Sequence, residues 1–206
     1  MKKTIFLLLA IFVSDILFAQ DDFLNAQTLF YKQKYSAAQA VFNKLSSSGD
    51  VTAEIMYLNA KCSKELFLAD AIPLYNNLNE TFPYHQFKNE VYKDMAFIYY
   101  REKKYKEAIS SFLKVKSLSD KDLFKLAYSY FSIDSLVEAQ LYFSKIMNSE
   151  IRYAAPSKYY YAYIAYEREM YTSALENFTK LLDDDKFGSI VPYYISQIYF
   201  YQKKYE

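Results

Sequence analysis

The sequence predicts an all-α protein, a solenoid of antiparallel helix pairs, on three observations. A four-position pattern recurs five times: Tyr or Leu, Ala three residues on, an aromatic four further, and an aliphatic three after that. Its spacing follows one face of an α-helix and not the alternation of a strand. Turn-forming residues are scarce for a sheet protein, with two glycines and four prolines in 206 residues, while Ala, Leu, Lys, Glu, Tyr and Phe fill long helical windows.

The clearest copy spans 92–115. Tyr92, Met95, Ala96 and Tyr99 lie at i, i+3, i+4, i+7, one stripe of a first helix. Tyr105, Ala108, Phe112 and Val115 form the stripe of a second helix, and Arg101 to Lys104 leave room only for a tight turn. A small residue on each inner face lets the two backbones approach closely. The second-helix pattern returns as Tyr35-Ala38-Phe42-Leu45, Leu68-Ala71-Tyr75-Leu78, Leu136-Ala139-Phe143-Ile146 and Tyr171-Ala174-Phe178-Leu181. The alanines are separated by 33, 37, 31 and 35 residues, a mean of about 34, the period of a helix–turn–helix repeat. Twelve residues before each alanine a small partner is expected. Ala26, Ala96, Ala127 and Ala162 meet this expectation and Asn59 does not.

On these five phased copies, residues 22–206 resemble the tetratricopeptide repeat (TPR) family. The resemblance implies a right-handed superhelix of about five and a half repeats. The first helix of copy one, with Asp22, Asn25, Ala26 and Leu29 on its stripe, is the least apolar, as suits a terminal unit. Copy two departs most, with Asn59 at the small position and Pro73 inside its second helix. Asp70 is expected to be that helix's N-cap, which puts Pro73 in the first turn, where its missing N–H costs little.

In chain order, residues 1–19 read as a secretory signal peptide: Lys2 and Lys3, an apolar run from Ile5 to Val13, and the exit Leu17-Phe18-Ala19, with cleavage expected before Gln20. Ser14 and Asp15 interrupt the run well short of the ~20 apolar residues of a membrane span, and no cysteine follows to carry a lipid. Residues 20–206 are the solenoid. Cys62 is the only cysteine. It falls on the apolar stripe Ile55, Leu58, Cys62 and is expected to be a small buried hydrophobe. Residues 46–50, Thr81-Phe82-Pro83 and 183–185 are expected as loop or cap material, and Pro156 and Pro192 near helix starts. A sixth unit begins at about Val191 and reaches only Tyr205, the first position of the second-helix pattern. Such a half repeat exposes Ile195 and Tyr199, so the natural protein is expected to continue past Glu206 or to be seen here in truncated form.

Chemistry finds little material. His85 is the sole histidine, read as a surface residue of the loop after Pro83. Gly49 and Gly188 alone cannot build a phosphate loop, and Glu167, Glu169 and 183–185 read as solvated faces and helix ends. No catalytic residue, cofactor site or metal-ligand cluster is expected. Asn79-Glu80-Thr81 and Asn177-Phe178-Thr179 match the glycosylation triplet, but the second lies inside a helix. Without residues 1–19 the chain loses two of its 25 basic and one of its 24 acidic residues, so the charges balance. No electrostatic footprint for nucleic acid or an anionic membrane is left, and the lysines read as scattered on solvated faces.

The resemblance implies that first-helix residues one step beyond the packing stripe face the concave side of the superhelix. In copy three these are Lys93, Phe97 and Tyr100. In copy four they are Phe124, Tyr128 and Phe131, in copy five Tyr159, Tyr163 and Tyr166, and in the incomplete copy Tyr193, Gln197 and Phe200. A Tyr/Phe-lined groove offers ring area and phenol hydroxyls to a peptide or partner segment, with packing between neighbouring first helices as the other use of the same rings. Lys93 is followed one turn later by Phe97 and not by Asn, which does not match the family's carboxylate clamp. The expected function is a non-catalytic protein–protein interaction scaffold in the periplasm or outer-membrane periphery, like signal-bearing envelope TPR proteins of Gram-negative bacteria. A glycan-binding envelope protein and the extracytoplasmic sensory domain of a membrane-bound signalling protein are the alternatives.

Overall fold

A computed structural model describes residues 20–49, 51–149 and 152–202, so the expected leader and the end of the sixth unit lie outside the described residues. Every regular element among them is a helix. The first, α1, covers 20–31 of the described chain. There follow α2 (Tyr35–Ser47), α3 (Ala53–Glu65), α4 (Ala71–Thr81), α5 (Lys88–Arg101), α6 (Tyr105–Phe112), α7 (Asp120–Ser132), α8 (Leu136–Ser144), α9 (Ala154–Glu167), α10 (Tyr171–Thr179) and α11 (Val191–Tyr201). The chain divides into two compact units, one up to Ile98 and one from Tyr99. In the first, α3 packs on both α2 and α4. In the second, each helix from α6 to α11 packs on the next.

The second-helix pattern marks the core. Its aromatics Phe42, Tyr75, Phe112, Phe143 and Phe178 are all buried, as are its alanines and its aliphatics Leu45, Leu78, Val115, Ile146 and Leu181. In the last three copies the second helix is shorter than the pattern: α6 stops at Phe112, α8 at Ser144 and α10 at Thr179. Val115, Ile146 and Leu181 are therefore buried from the turn that follows, whereas Leu45 and Leu78 lie inside α2 and α4. At the other end of the first connection the helix is longer than expected, since α2 takes in Ser46 and Ser47.

Each pair is joined by the same turn. The second residue past the helix takes φ near +60° at Gln33, Phe67, Lys103, Asp134 and Glu169. Its N–H reaches back to the carbonyl three residues earlier, and the next N–H reaches back five, as in Lys34 N to Leu29 O at 2.9 Å and Met170 N to Ala165 O at 2.8 Å. This is the Schellman closure, which satisfies the last helical carbonyls. No copy places glycine at the left-handed position.

The turn corrects the reading of copy two. Seven residues before each left-handed residue stand Ala26, Ala60, Ala96, Ala127 and Ala162, all fully buried. The small position is therefore Ala60, one residue beyond Asn59. The connection from Phe67 to the buried Ala71 is one residue shorter than elsewhere, and α4 begins at Ala71 itself. Leu68, the supposed first position of the pattern, lies outside the helix and is exposed. Pro73 explains the late start: at N3 it needs no intrahelical bond, whereas an earlier start would require one. Asp70 is the N-cap as expected, though its side chain makes no capping bond.

The buried face of the first helices is also rotated. In α5 it consists of Val91, Asp94, Met95, Ala96 and Ile98, while Tyr92 and Tyr99 are only half-buried. The same five positions in α7 hold Asp122, Lys125, Leu126, Ala127 and Ser129. Polar groups at three of them hide this face from an apolar-stripe reading. Asp122 serves in a capping box with Ser119, which fixes the start of α7. Cys62 is buried as expected, and burial pushes its thiol up to about 12, away from thiolate chemistry. His85 is buried rather than on the surface: its ring bonds Asn79 Oδ1 at 3.0 Å, and burial, then Lys88, hold its pKa below the usual value.

Candidate functional site

In the second unit the expected groove residues form part of a connected lattice of rings. The last turn of α5 carries the half-buried Tyr100, whose centroid lies 6.0 Å from Tyr128 on α7 and 6.1 Å from Tyr105 at the start of α6. On α7, Phe124, Tyr128 and Phe131 stand one turn apart, at 6.4 and 6.2 Å. Phe131 reaches Tyr163 of α9 at 5.9 Å, and Tyr163 reaches Tyr194 of α11 at 5.7 Å. Tyr159 stacks on Phe187 at 4.7 Å, and Tyr166 lies 5.4 Å from Tyr194. Most of these contacts are tilted or edge-on, the arrangement that ring quadrupoles favour.

Most of these rings are half-buried. Phe124, Tyr128, Phe131, Tyr159, Tyr163 and Tyr166 pack against the alanine-lined core, whereas on α11 Tyr193 and Phe200 are well exposed, at 63% and 58%, and Gln197 is half-buried. Packing and partial exposure are thus combined in the same side chains. Phe97 lies in the first unit, with the Lys64 ammonium 6.0 Å from its centroid. Of the incomplete copy's stripe, Ile195 is half-buried and Tyr199 exposed.

Sequence reasoning missed the rings that join the expected ones. Tyr160 touches Tyr128 at 5.5 Å and Phe131 at 5.1 Å, and Tyr194 stacks on Phe178 at 5.1 Å. They occupy the same register on α9 and α11, 34 residues apart, one repeat period, so phasing on the turns would have found them. Phe187 was missed because it lies in the turn run between α10 and α11. Asp184 Oδ1 accepts its N–H at 3.1 Å, and Gly188 closes the bend, where a Cβ would collide with the Leu182 carbonyl oxygen.

Burial sets the chemistry of the phenols. Tyr100 is pushed up to about 12 by burial and then by Tyr128 and Tyr105, and Tyr166 to about 12 by burial and then Tyr201. Burial also raises Tyr159, Tyr160 and Tyr163. The surface therefore offers neutral hydroxyls that donate as well as accept. The Lys125 ammonium, buried, lies 5.7 Å from the Tyr100 centroid.

The first unit carries a different cluster, which the reading of lysines as solvated did not foresee. Asp94 on α5 accepts the Tyr75 hydroxyl at 2.9 Å and pairs with Lys64 at 3.0 Å and Lys61 at 3.4 Å, both on α3. Burial alone would lower both ammoniums, but Asp94 and hydrogen bonds to Tyr57 and Glu65 outweigh it and raise them. Among the described residues no group of three His, Cys, Asp or Glu side chains could hold a metal ion, and no helix is long and apolar enough to cross a membrane.

No protein-family model matches the chain, and no curated protein matches it. Solved structures do. MamA AMB-1 superposes with a TM-score of 0.70 at 14% identity, over 82% of this chain and 93% of its own. YrrB, described as a TPR protein with an unusual peptide-binding site, gives 0.64 at 16% identity, over 80% and 85%. A tetratricopeptide repeat protein from Parabacteroides merdae gives 0.63 at 13% identity, over 90% and 74%. With the helix pairs and their turns, these likenesses establish the fold: an all-α TPR solenoid.

Proposed function

We propose that this protein is a non-catalytic interaction scaffold whose ring lattice on α7, α9 and α11 receives a peptide or partner segment. The observation that carries the reading is the run of half-buried, neutral tyrosines, held by ring contacts yet still partly exposed. Rigid amphipathic rings lose little conformational entropy on contact, which is why Tyr dominates many recognition surfaces. The TPR fold, used for peptide binding in YrrB by its description, is consistent with this role. The leader-like residues 1–19 support export, and with it a place in the periplasm or at the outer-membrane periphery.

The test is selection of a random-peptide display library on residues 20–206. An enriched peptide is expected, and its affinity should fall about tenfold or more in Tyr100→Ala/Tyr163→Ala. Tyr142→Ala, which removes a ring stacked only on Tyr130 among the described contacts, should leave it unchanged. Both variants are checked for helical content. Failure to enrich any peptide, or equal loss in both variants, overturns the reading. Deleting residues 2–19 should abolish appearance of the protein in the envelope fraction of a Gram-negative host; unchanged fractionation overturns the location.

A further inference from the structure

A cavity of about 410 Å³ opens in the first unit among α2, α3 and α4, lined by Asn43, Ser46, Ser47, Val51, Met56, Asn59, Leu74 and Asn77. We propose that it is a binding site for a neutral, hydroxyl-rich small molecule, a polyol or monosaccharide. It is separate from the ring lattice and does not depend on that role.

Asn59 carries the inference. It is buried, at 5% exposure, and its amide donates to Asn43 Oδ1 at 2.8 Å, yet its own Oδ1 has no partner. A buried carbonyl oxygen left open costs stability, and the position is not forced by the repeat, since the small-residue site is Ala60. Turning both amides over together keeps their hydrogen bond with donor and acceptor exchanged, and leaves an Asn59 N–H open in place of the oxygen. A hydroxyl satisfies both versions, as it donates and accepts.

The rest of the lining narrows the class. None of these side chains is ionisable, which disfavours a charged ligand. Ser46 and Ser47 spend their hydroxyl protons on Phe42 O and Asn43 O, both at 2.9 Å, and so face the cavity as acceptors. Asn77 Oδ1 takes the Thr81 hydroxyl at 3.3 Å, leaving its N–H groups as donors. Donors and acceptors are thus interleaved, and Met56, Leu74 and Val51 offer apolar wall to C–H faces. The volume lies within the range of small-molecule sites, roughly 300–1,000 Å³.

The experiment titrates isotope-labelled protein (residues 20–206) with D-glucose and with myo-inositol, following the side-chain amide signals of Asn43, Asn59 and Asn77, with N-methylacetamide as the control. Saturable shifts of the Asn59 and Asn43 signals by a polyol, weakened about tenfold in Asn59→Leu and severalfold in the rim variant Asn77→Ala, support the proposal. Asn77 is exposed, so its variant reports even if Asn59→Leu perturbs folding. Absence of shifts with both polyols overturns it, as does a response to N-methylacetamide alone or shifts unchanged in Asn77→Ala.

Discussion

Five side-chain-bearing residues hold the left-handed conformation that closes each helix pair, and none is glycine. A Cβ there costs roughly 1–2 kcal/mol, partly offset by the smaller freedom of the unfolded chain. Lys103→Gly should therefore stabilise the protein by about 0.5–1 kcal/mol in urea unfolding, with no change in slope. A loss of stability would mean that Lys103 contributes more than its backbone. Asp94 predicts the opposite sign. It accepts Tyr75 and two ammoniums in a half-closed site, so Asp94→Ala removes an acceptor from three donors at once, leaving Lys61 with Tyr57 and Lys64 with Glu65. Breaking a buried pair costs about 3–5 kcal/mol; since Lys61 and Lys64 remain 27% and 17% exposed, about 2–3 kcal/mol is expected after solvent screening. Tyr75→Phe, which leaves both lysines paired, should cost nearer 1 kcal/mol. Equal losses in the two variants would assign the stability to Tyr75 alone.

At the scale of the helix pair, the buried second-helix aromatic is the common anchor. Phe112→Ala should cost about 3–5 kcal/mol by chemical denaturation, the range for emptying a packed aromatic site. Leu68→Ala should change stability by less than about 1 kcal/mol, because copy two starts its helix late and leaves Leu68 in the turn. Reversed magnitudes would place the register of copy two where the pattern first suggested. The contrast shows what was legible. Ala, aromatic and aliphatic at fixed spacing report second helices well, since those positions must be small or apolar in every copy. First helices reported poorly. Their inner face admits Asp94, Asp122, Lys125 and Ser129. The first, second and fourth are hydrogen-bonded locally or to a neighbouring helix, Lys125 lies beside the Tyr100 ring, and such surroundings cannot be read along one chain. Phasing on alanines alone likewise shifted copy two by one residue, because a deletion in the turn moves the anchor without moving the core. The sequence placed most of these rings on one helical face and left packing between first helices open as their other use; that Tyr160 and Tyr194 join them between the helices was not legible.

At the scale of the whole molecule, a chain with 24 tyrosines has its stability linked to alkaline pH more than to acid. Burial first, and neighbouring rings second, raise Tyr100 and Tyr166 to about 12 from an ordinary 10.0, and Tyr159, Tyr160 and Tyr163 move the same way. For these phenols the folded state keeps its protons after the unfolded state has lost them. The favourable term is complete below pH 10 and is withdrawn as pH rises from about 10 to 12, where the unfolded chain binds fewer protons. Because the shifted phenols on α5 and α9 are joined through the rings of Tyr128 on α7 and Tyr194 on α11, ionising one ring places charge beside the next and strips its packing. The expected outcome is one cooperative transition between pH 10 and 12, in which tyrosinate absorbance and loss of helical circular dichroism coincide. Most rings ionising near pH 10 with the helix signal intact would show the lattice to be open to water and would remove the rigidity on which the proposed recognition surface depends.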